Sequence, residues 1–237
     1  MRDVDVATPN RLPAAEPEVD AIHAPSLYLT IQQRIVTGHY VPGSRIRESD
    51  LKHEFGVSNG PVREALQCAV ADGLVERAPF RGVRVIQLDA AQLLELFQVR
   101  QILLGAAAEL AARRVSPAVV ASARALKKRF LKEPHYGVGT FWLPGELSRW
   151  VFDCAGNRYL AESYRRPLLQ SLVYINAALR QRRGAFADGF DLFVLGLIDA
   201  IADGDPIAAR NAAYVLTSAT LCELGLPALE ALHGDVE

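Results

Sequence analysis

A glycine turn between two short helical segments is the feature that most constrains how this chain folds. Residues 48–55 open with polar residues and end before Gly56, which predicts a short helix closed by a glycine. Ser58 then precedes a helical apolar period that runs to about Ala71, and serine is a favoured N-cap. Pro61 fits this second helix because a backbone N–H in the first turn has no helical partner. Two helices joined by so short a turn predict a helix-turn-helix.

The segments around this turn extend the prediction to a winged helix-turn-helix. Apolar residues recur at helical spacing from Leu27 and stop at Gly38, which predicts a preceding helix. Residues 74–76 and 83–86 resemble two short strands, and a loop that contains proline and glycine joins them. Three helices and a β-hairpin within residues 25–87 form this fold.

The start of the second helix of the motif is the candidate nucleic-acid contact. In helix-turn-helix proteins its first turns enter the major groove, and Asn59 and Arg63, four residues apart, share one helical face. Arginine can bond guanine O6 and N7 together, and the free N–H groups at a helix start can hold a phosphate. The pattern alone fits a surface arginine on an ordinary helix equally well.

Net charge gives little support for nucleic-acid binding. The chain has a formal net charge of −1, and residues 26–86 carry eight Lys or Arg against six Asp or Glu. Because this excess is small, a DNA-binding prediction depends on where the basic residues lie and not on their number.

The second half of the chain is predicted to be entirely helical, because strand patterns end at Asp89. The fold class is therefore mainly α, with a helical bundle over residues 88–233 after the winged region. Residues 1–24 are rich in proline, alanine and acidic residues, which predicts a mobile tail. The predicted helices of the bundle cover residues 89–114, 116–132, 143–155, 157–182, 189–202, 205–224 and 227–232.

Composition and motifs predict a cytoplasmic protein that is not an enzyme. Glu109 and Arg113 interrupt the best apolar run, so no segment reaches the roughly 18 residues that cross a bilayer. Asp3 and Asp5 stand where a secretion signal would be basic. The cysteines are odd in number and far apart, which suits a reduced chain in which each is a small buried residue. No nucleophile elbow or Walker loop is present.

Five separate motifs carry a family resemblance over about sixty residues. They are Pro42-Gly43-Ser44-Arg45-Ile46, Phe55-Gly56-Val57-Ser58, Pro61-Val62-Arg63-Glu64-Ala65-Leu66, Gly73-Leu74-Val75-Glu76 and Arg81-Gly82-Val83-Arg84-Val85. Together they resemble the N-terminal signature of GntR-family transcription regulators, which implies binding to double-stranded operator DNA.

The resemblance also implies which residues contact the DNA. Arg63 is expected to read operator bases, Ser58 and its neighbours to hold the backbone, and Gly82 with Arg81 to approach the minor groove or a phosphate. Arg45, in the first motif, completes this set. Two positions depart from the family: Asn59 replaces the usual arginine and Gly60 the usual threonine. We therefore expect an atypical operator, since asparagine prefers adenine edges.

The second half resembles the FCD effector domain of the FadR-type branch. The matching segments are Leu96-Phe97-Gln98-Val99-Arg100 with 106–112, Ala155-Gly156-Asn157-Arg158-Tyr159-Leu160, and Ile198-Asp199-Ala200-Ile201-Ala202-Asp203-Gly204-Asp205. The resemblance implies a domain that senses a small molecule and forms a homodimer, which would match a two-fold operator.

Many proteins of that branch hold a divalent metal through one Asp and three His. The corresponding positions here are Pro144, Ser148, Val194 and Leu216, and none supplies an imidazole or a carboxylate. His135 is the only histidine left between residues 89 and 224, and it falls in a predicted loop. We therefore predict a protein without a metal or other cofactor.

Arg100 falls inside the apolar stripe of the first helix of this second half. A buried cation requires a partner, and the alternatives are an internal carboxylate, Asp153 or Asp199, or the acidic group of an effector. In the second case Arg100, Ser148, Val194 and Leu216 line a mostly apolar effector site. The competing functional hypothesis is a helical ligand-binding or interaction protein whose winged region contacts a protein.

Overall fold

The computed structural model describes residues 24–77, 82–132, 142–181, 186 and 188–229, without the side chains of residues 142–144. The predicted tail, except Ala24, and the wing loop at residues 78–81 therefore lie outside the described residues. None of the described helices is long and apolar enough to cross a membrane.

The N-terminal region, which we define as residues 24–86, is a winged helix-turn-helix. Its elements are α1 (Ala24–Val36), β1 (Arg45–Ile46), α2 (Glu48–Phe55), α3 (Asn59–Ala71), β2 (Val75–Arg77) and β3 (Val83–Val85). The predicted hairpin was incomplete, because the antiparallel sheet has three strands in the order β1-β3-β2. Strand β1 has only two residues, too few to show an alternating pattern, and it exists because Ile46 pairs with Val83.

Local sequence explains the turn between α2 and α3. Gly56 ends α2 with φ +63°, a left-handed conformation that glycine adopts without strain, and its N–H donates to the Lys52 carbonyl. Each helix has an apolar face: that of α2 packs against α3, and that of α3 packs against α1, α2 and β2. The buried residues of the helix-turn-helix are Leu51, Val62, Ala65, Leu66 and Ala69.

The C-terminal region, residues 89–229, contains helices and no strand wherever the structure describes it, as predicted. Its helices are α4 (Ala90–Arg113), α5 (Pro117–Lys132), α6 (Trp142–Ala155), α7 (Arg158–Gln181), α8 (Phe190–Ala202) and α9 (Pro206–Glu223). Helix α4 begins with a capping box between Asp89 and Gln92, and it packs against α6, α7, α8 and α9. The helix predicted at 227–232 is wrong for residues 227–229, which are not helical, and the remainder lies outside the described residues.

Helix α7 connects the two regions by polar contacts with backbone and side chains of the N-terminal region. Asn176 donates to the Val36 carbonyl at 2.8 Å, and Gln170 donates to the Gly73 carbonyl at 2.9 Å. These bonds satisfy carbonyls where α1 and α3 end. They fix how the winged region lies on the bundle.

An ion pair adds to this junction. Arg165 of α7 lies 2.7 Å from a carboxylate oxygen of Asp72, the residue that ends α3, and the Tyr28 hydroxyl donates to the same oxygen. Burial raises the pKa of Asp72 above its usual value, and Arg165 opposes that rise only in part. The junction therefore contains an acid whose charge is disfavoured by its surroundings.

Candidate nucleic-acid interface and ligand cavity

The start of α3 presents the predicted base-reading residues to solvent. Ser58 stands at the N-cap with extended backbone, and its side chain makes no capping hydrogen bond. Asn59 and Gly60 are exposed, and the Arg63 side chain is 67% exposed. The Nε of Arg63 lies 3.2 Å from an Oε2 of Glu48 on α2, which holds the guanidinium beside the helix start. The N–H groups of the first turn and this guanidinium can all donate to a nucleic acid.

The sheet adds a second basic surface. Arg45 on β1 lies directly opposite Arg84 on β3, and both are exposed. Glu76 on β2 lies opposite Arg84 on its other side, so this face carries two exposed arginines and one carboxylate. Arg45, whose cross-strand neighbour is another arginine, is the side chain of this face best placed to pair with a phosphate. Gly82 begins the described part of the wing with φ +81°, and Arg81 lies outside the described residues.

In the C-terminal region, four residues singled out in the sequence line the same cavity. Arg100, Ser148, Val194 and Leu216 surround a space of about 40 Å³ between α4, α6, α8 and α9. The Pro144 side chain lies outside the described residues. The remaining lining is mostly apolar and consists of Leu104, Phe130, Leu147, Ile175, Phe186, Phe190, Thr217 and Thr220.

Among the described residues that line this cavity, Arg100 is the only charged one. It is 5% exposed. Its Nε and Nη2 donate to the Tyr164 hydroxyl at 3.3 and 3.0 Å. Its guanidinium also lies 4.8 Å from the centre of the Phe97 ring, a distance typical of a cation–π contact. Its Nη1 is buried and has no hydrogen-bond partner within the described part of the chain.

The predicted carboxylate partners of Arg100 are wrong. Asp199 instead accepts hydrogen bonds from Lys127 Nζ at 2.6 and 2.8 Å, on the side of α8 that faces α5. Asp153 is exposed and lies in a different cleft. A hydroxyl and aromatic rings replace the expected carboxylate, so the guanidinium keeps an uncompensated positive charge.

The side chains that line this cavity do not fit a divalent metal. Ser148, Val194 and Leu216 provide one hydroxyl and two apolar groups, whereas such metals take imidazole, carboxylate or thiolate ligands. The hydroxyls of Thr217 and Thr220 donate to carbonyls of their own helix. Across the described ranges, no group of three His, Cys, Asp or Glu is arranged to hold a metal.

The sequence patterns did not indicate which side chains lie next to Arg63, Arg45 and Arg100. From the sequence, Glu48 counts as a charge and a polar helix start, and Arg84 as a charge and part of the last family motif; neither is predicted to contact an arginine. The alternation of Val83, Arg84 and Val85 does predict that Arg84 points outward. Tyr164 was missed entirely. Its position one turn before Leu168 and two turns before Ser171 on α7 could have indicated a buried stripe.

Two of the three cysteines also differ from the prediction of burial. Cys68 on α3 and Cys222 on α9 are exposed, and Cys154 is half-buried. Burial raises the pKa of the Cys154 thiol to about 11, with a smaller contribution from the Asp153 charge.

The fold and these two sites define a winged helix-turn-helix DNA-binding protein with a helical ligand-binding region. Comparison with known families agrees. The model of bacterial regulatory proteins of the gntR family matches residues 24–85, and the FCD domain model matches residues 95–217. The chain belongs to the GntR family, in its FadR-type architecture, and is a helix-turn-helix transcriptional regulator with an FCD effector-binding domain. The predicted family, fold class and general function are confirmed.

Curated relatives and solved structures support this assignment. A Streptomyces ambofaciens HTH-type transcriptional regulator in an unstable DNA locus is 26% identical over 78% of each chain. The HTH-type regulator YdhC of Bacillus subtilis is 35% identical over 31% of this chain, which spans only 33% of that relative. The structure of Escherichia coli McbR/YncC has a TM-score of 0.69 at 20% identity, with 85% of this chain and 96% of that chain covered. This last likeness shows a shared fold.

Proposed function

We propose that this regulator binds a two-fold operator through the start of α3 and the basic face of the sheet. The observation that carries the proposal is that Arg63 and Asn59 are exposed on one face of the helix start, beside the unpaired N–H groups of its first turn. The Arg45–Arg84 pair supplies a second contact to phosphates. In this proposal residues 25–87 bind DNA, and residues 88–233 sense the effector and dimerise.

A gel-shift titration with the promoter region of its own gene tests operator binding. We expect a specific complex that survives an excess of unrelated DNA, and its affinity should fall as salt rises. A scrambled duplex of equal length is the control. Equal affinity for both duplexes would contradict operator recognition and favour the alternative, in which the winged region contacts a protein.

The proposed effector is mostly apolar and has one acidic group that Arg100 orients. A buried guanidinium with a free Nη1, in a cavity whose other described walls are mainly apolar, supports this choice. Charge-assisted pairing would hold the acid, and we expect Arg100→Gln to lose about 2–4 kcal/mol of effector affinity. Arg113→Gln, at an exposed arginine of the same helix, is the matched control in a thermal-shift screen.

The site is proposed to act without a metal or other cofactor and without catalysis, in the cytoplasm. Elemental analysis of protein purified without a chelator tests the first point. One equivalent of zinc, nickel or manganese per chain would contradict it. The reason for the proposal is that the described residues lining the cavity supply neither a carboxylate nor an imidazole.

A homodimer completes the proposal, because two winged modules match two half-sites and a single module gives few contacts. Exposed apolar side chains on the neighbouring helices α4 and α9 support a protein contact there. They are Val99, Ile102, Ile207 and Val215. Sedimentation at micromolar concentration should give a dimer, and a monomer bound singly to the operator would contradict this.

A further inference from the structure

A second and larger cleft lies between the two regions of the molecule. It has a volume of about 560 Å³, which lies within the range of small-molecule sites. Helix α1 of the N-terminal region forms one wall, and helices α6 and α7 form the others. Its apolar lining consists of Leu29, Phe152, Ala161, Leu168, Leu169 and Leu172.

This cleft adjoins the cavity that contains Arg100. Ser148 lines both spaces, and Tyr164, which lines the cleft, holds the Arg100 guanidinium. The cavity of about 40 Å³ holds roughly three water-sized groups, so it has room for a carboxylate but not for a whole ligand. An effector body therefore needs space elsewhere, and the adjoining cleft provides it.

We infer that the effector is an elongated amphipathic monoanion that occupies both spaces. Its acidic end would pair with the free Nη1 of Arg100, and its apolar body would lie in the cleft between α1, α6 and α7. This inference rests on the proposed effector role of Arg100. The described cleft lining contains Arg149, Asp153 and Arg165. The charges of the first two cancel in sum and Arg165 is paired with Asp72, which favours a ligand with a single anionic group.

The position of the cleft explains how such a ligand would act on DNA binding. Leu29, Thr30, Gln32 and Gln33 belong to α1, whereas the opposite walls belong to the effector-sensing helices. A molecule in contact with both regions binds different arrangements of the two with different affinity. Linkage then requires that ligand and operator change each other's affinity by the same factor.

Straight-chain carboxylates of four to twelve carbons, used below their micelle concentrations, are the probes of this inference. Their affinities for the full chain are measured by calorimetry and thermal shift, and operator affinity is measured with and without decanoate. Three variants are compared with the wild type. Leu29→Gln alters the cleft at a residue 59% exposed, Leu131→Gln is a matched control at a residue 66% exposed on α5, and Arg100→Gln removes the cation.

For the wild type we expect affinity to rise about two- to four-fold per added methylene, because each methylene leaves water for the cleft. Leu29→Gln should bind decanoate about ten-fold more weakly and butyrate equally well. Leu131→Gln should behave as the wild type. Arg100→Gln should weaken binding of every acid in the series.

Three outcomes would overturn the inference: no binding of any acid by the wild type, no dependence on chain length, or the same dependence in Leu29→Gln as in the wild type. The proposed function is judged separately. If Arg100→Gln loses binding and Leu29→Gln keeps the wild-type dependence on chain length, the effector site at Arg100 is supported and the role of the cleft is rejected. If no operator complex forms in the absence of acid, the operator-binding proposal is rejected, whereas the measured acid affinities still test the ligand site.

Discussion

Arg63 in the N-terminal region and Arg100 in the C-terminal region show how differently one residue type can be used. Arg63 has a side chain that is 67% exposed, and its partner is the Glu48 carboxylate on the preceding helix, α2. Arg100 is 5% exposed, and its partners are a phenol hydroxyl and aromatic rings. The first guanidinium is solvated and free to exchange Glu48 for DNA. The second guanidinium is buried, so the stability of its charge depends on the groups that surround it.

The two regions should therefore tolerate substitution in opposite ways. An exposed ion pair contributes little to folding, so changes at Arg63 should affect binding and leave stability intact. A buried cation is costly to leave unpaired, so changes around Arg100 should affect stability before any ligand is added. Matched variants of the exposed and buried groups test this difference.

The largest effect is expected from Tyr164→Phe, which removes the hydroxyl that accepts two hydrogen bonds from Arg100. We expect the free energy of unfolding to fall by about 3 kcal/mol, because buried charged donors lose their acceptor. Urea denaturation measures this change. Tyr159→Phe is the control, since its hydroxyl also accepts from an arginine, Arg158, but at an exposed position. Equal losses in the two variants would show that burial does not set the cost.

The next effect concerns the exposed arginine. Arg63→Ala should lose about 1–3 kcal/mol of specific operator affinity, because its contacts to base edges disappear. Its unfolding free energy should stay within about 0.5 kcal/mol of the wild type. Arg113→Ala removes an arginine of similar exposure that is paired with Glu109 on α4, and it should leave operator affinity unchanged. Unchanged operator affinity in the Arg63 variant would reject the docking geometry.

A smaller effect should appear at the junction of the two regions, where burial raises the pKa of Asp72 above its usual 3.8. Below pH 3.8 the carboxyl is protonated in both the folded and unfolded chain, and its contribution to stability is fully present. As pH rises through the raised folded pKa, that contribution is lost. The unfolding free energy of the wild type should therefore decline relative to Asp72→Asn from about pH 4 toward neutrality. Parallel curves, or a relative rise, would contradict the assignment.

The smallest effect concerns the cysteines, which repeat the contrast between exposed and buried groups without changing stability. Cys68 and Cys222 should react rapidly with a thiol-specific reagent at pH 8, because both are exposed. Cys154 should react slowly, since its pKa of about 11 leaves little thiolate. Cys154→Ala should retain both fast equivalents and lose the slow one. Three equal rates in the native chain would contradict the described burial.

Local structure and family membership could be predicted from the sequence. Glycine, proline and capping residues act within a few residues, so the bounds of α2 and α3 and the capped start of α4 were predictable. The burial of Arg100 was also predictable, because the helical period of the apolar residues around it fixes the face on which it lies. The family motifs placed Ser148, Val194 and Leu216 at one site, and the structure brings them together.

Which groups meet across the fold could not be predicted from local patterns. Tyr164 lies 64 residues from Arg100, and no local pattern states that its hydroxyl, and not a carboxylate, reaches that guanidinium. Strand β1 likewise exists only because β3 provides hydrogen bonds for two residues that have too little pattern of their own. The interdomain cleft depends on how α1 lies against α6 and α7. Contacts of this kind depend on packing summed over the whole chain, whereas turns and caps are set by a few neighbouring residues.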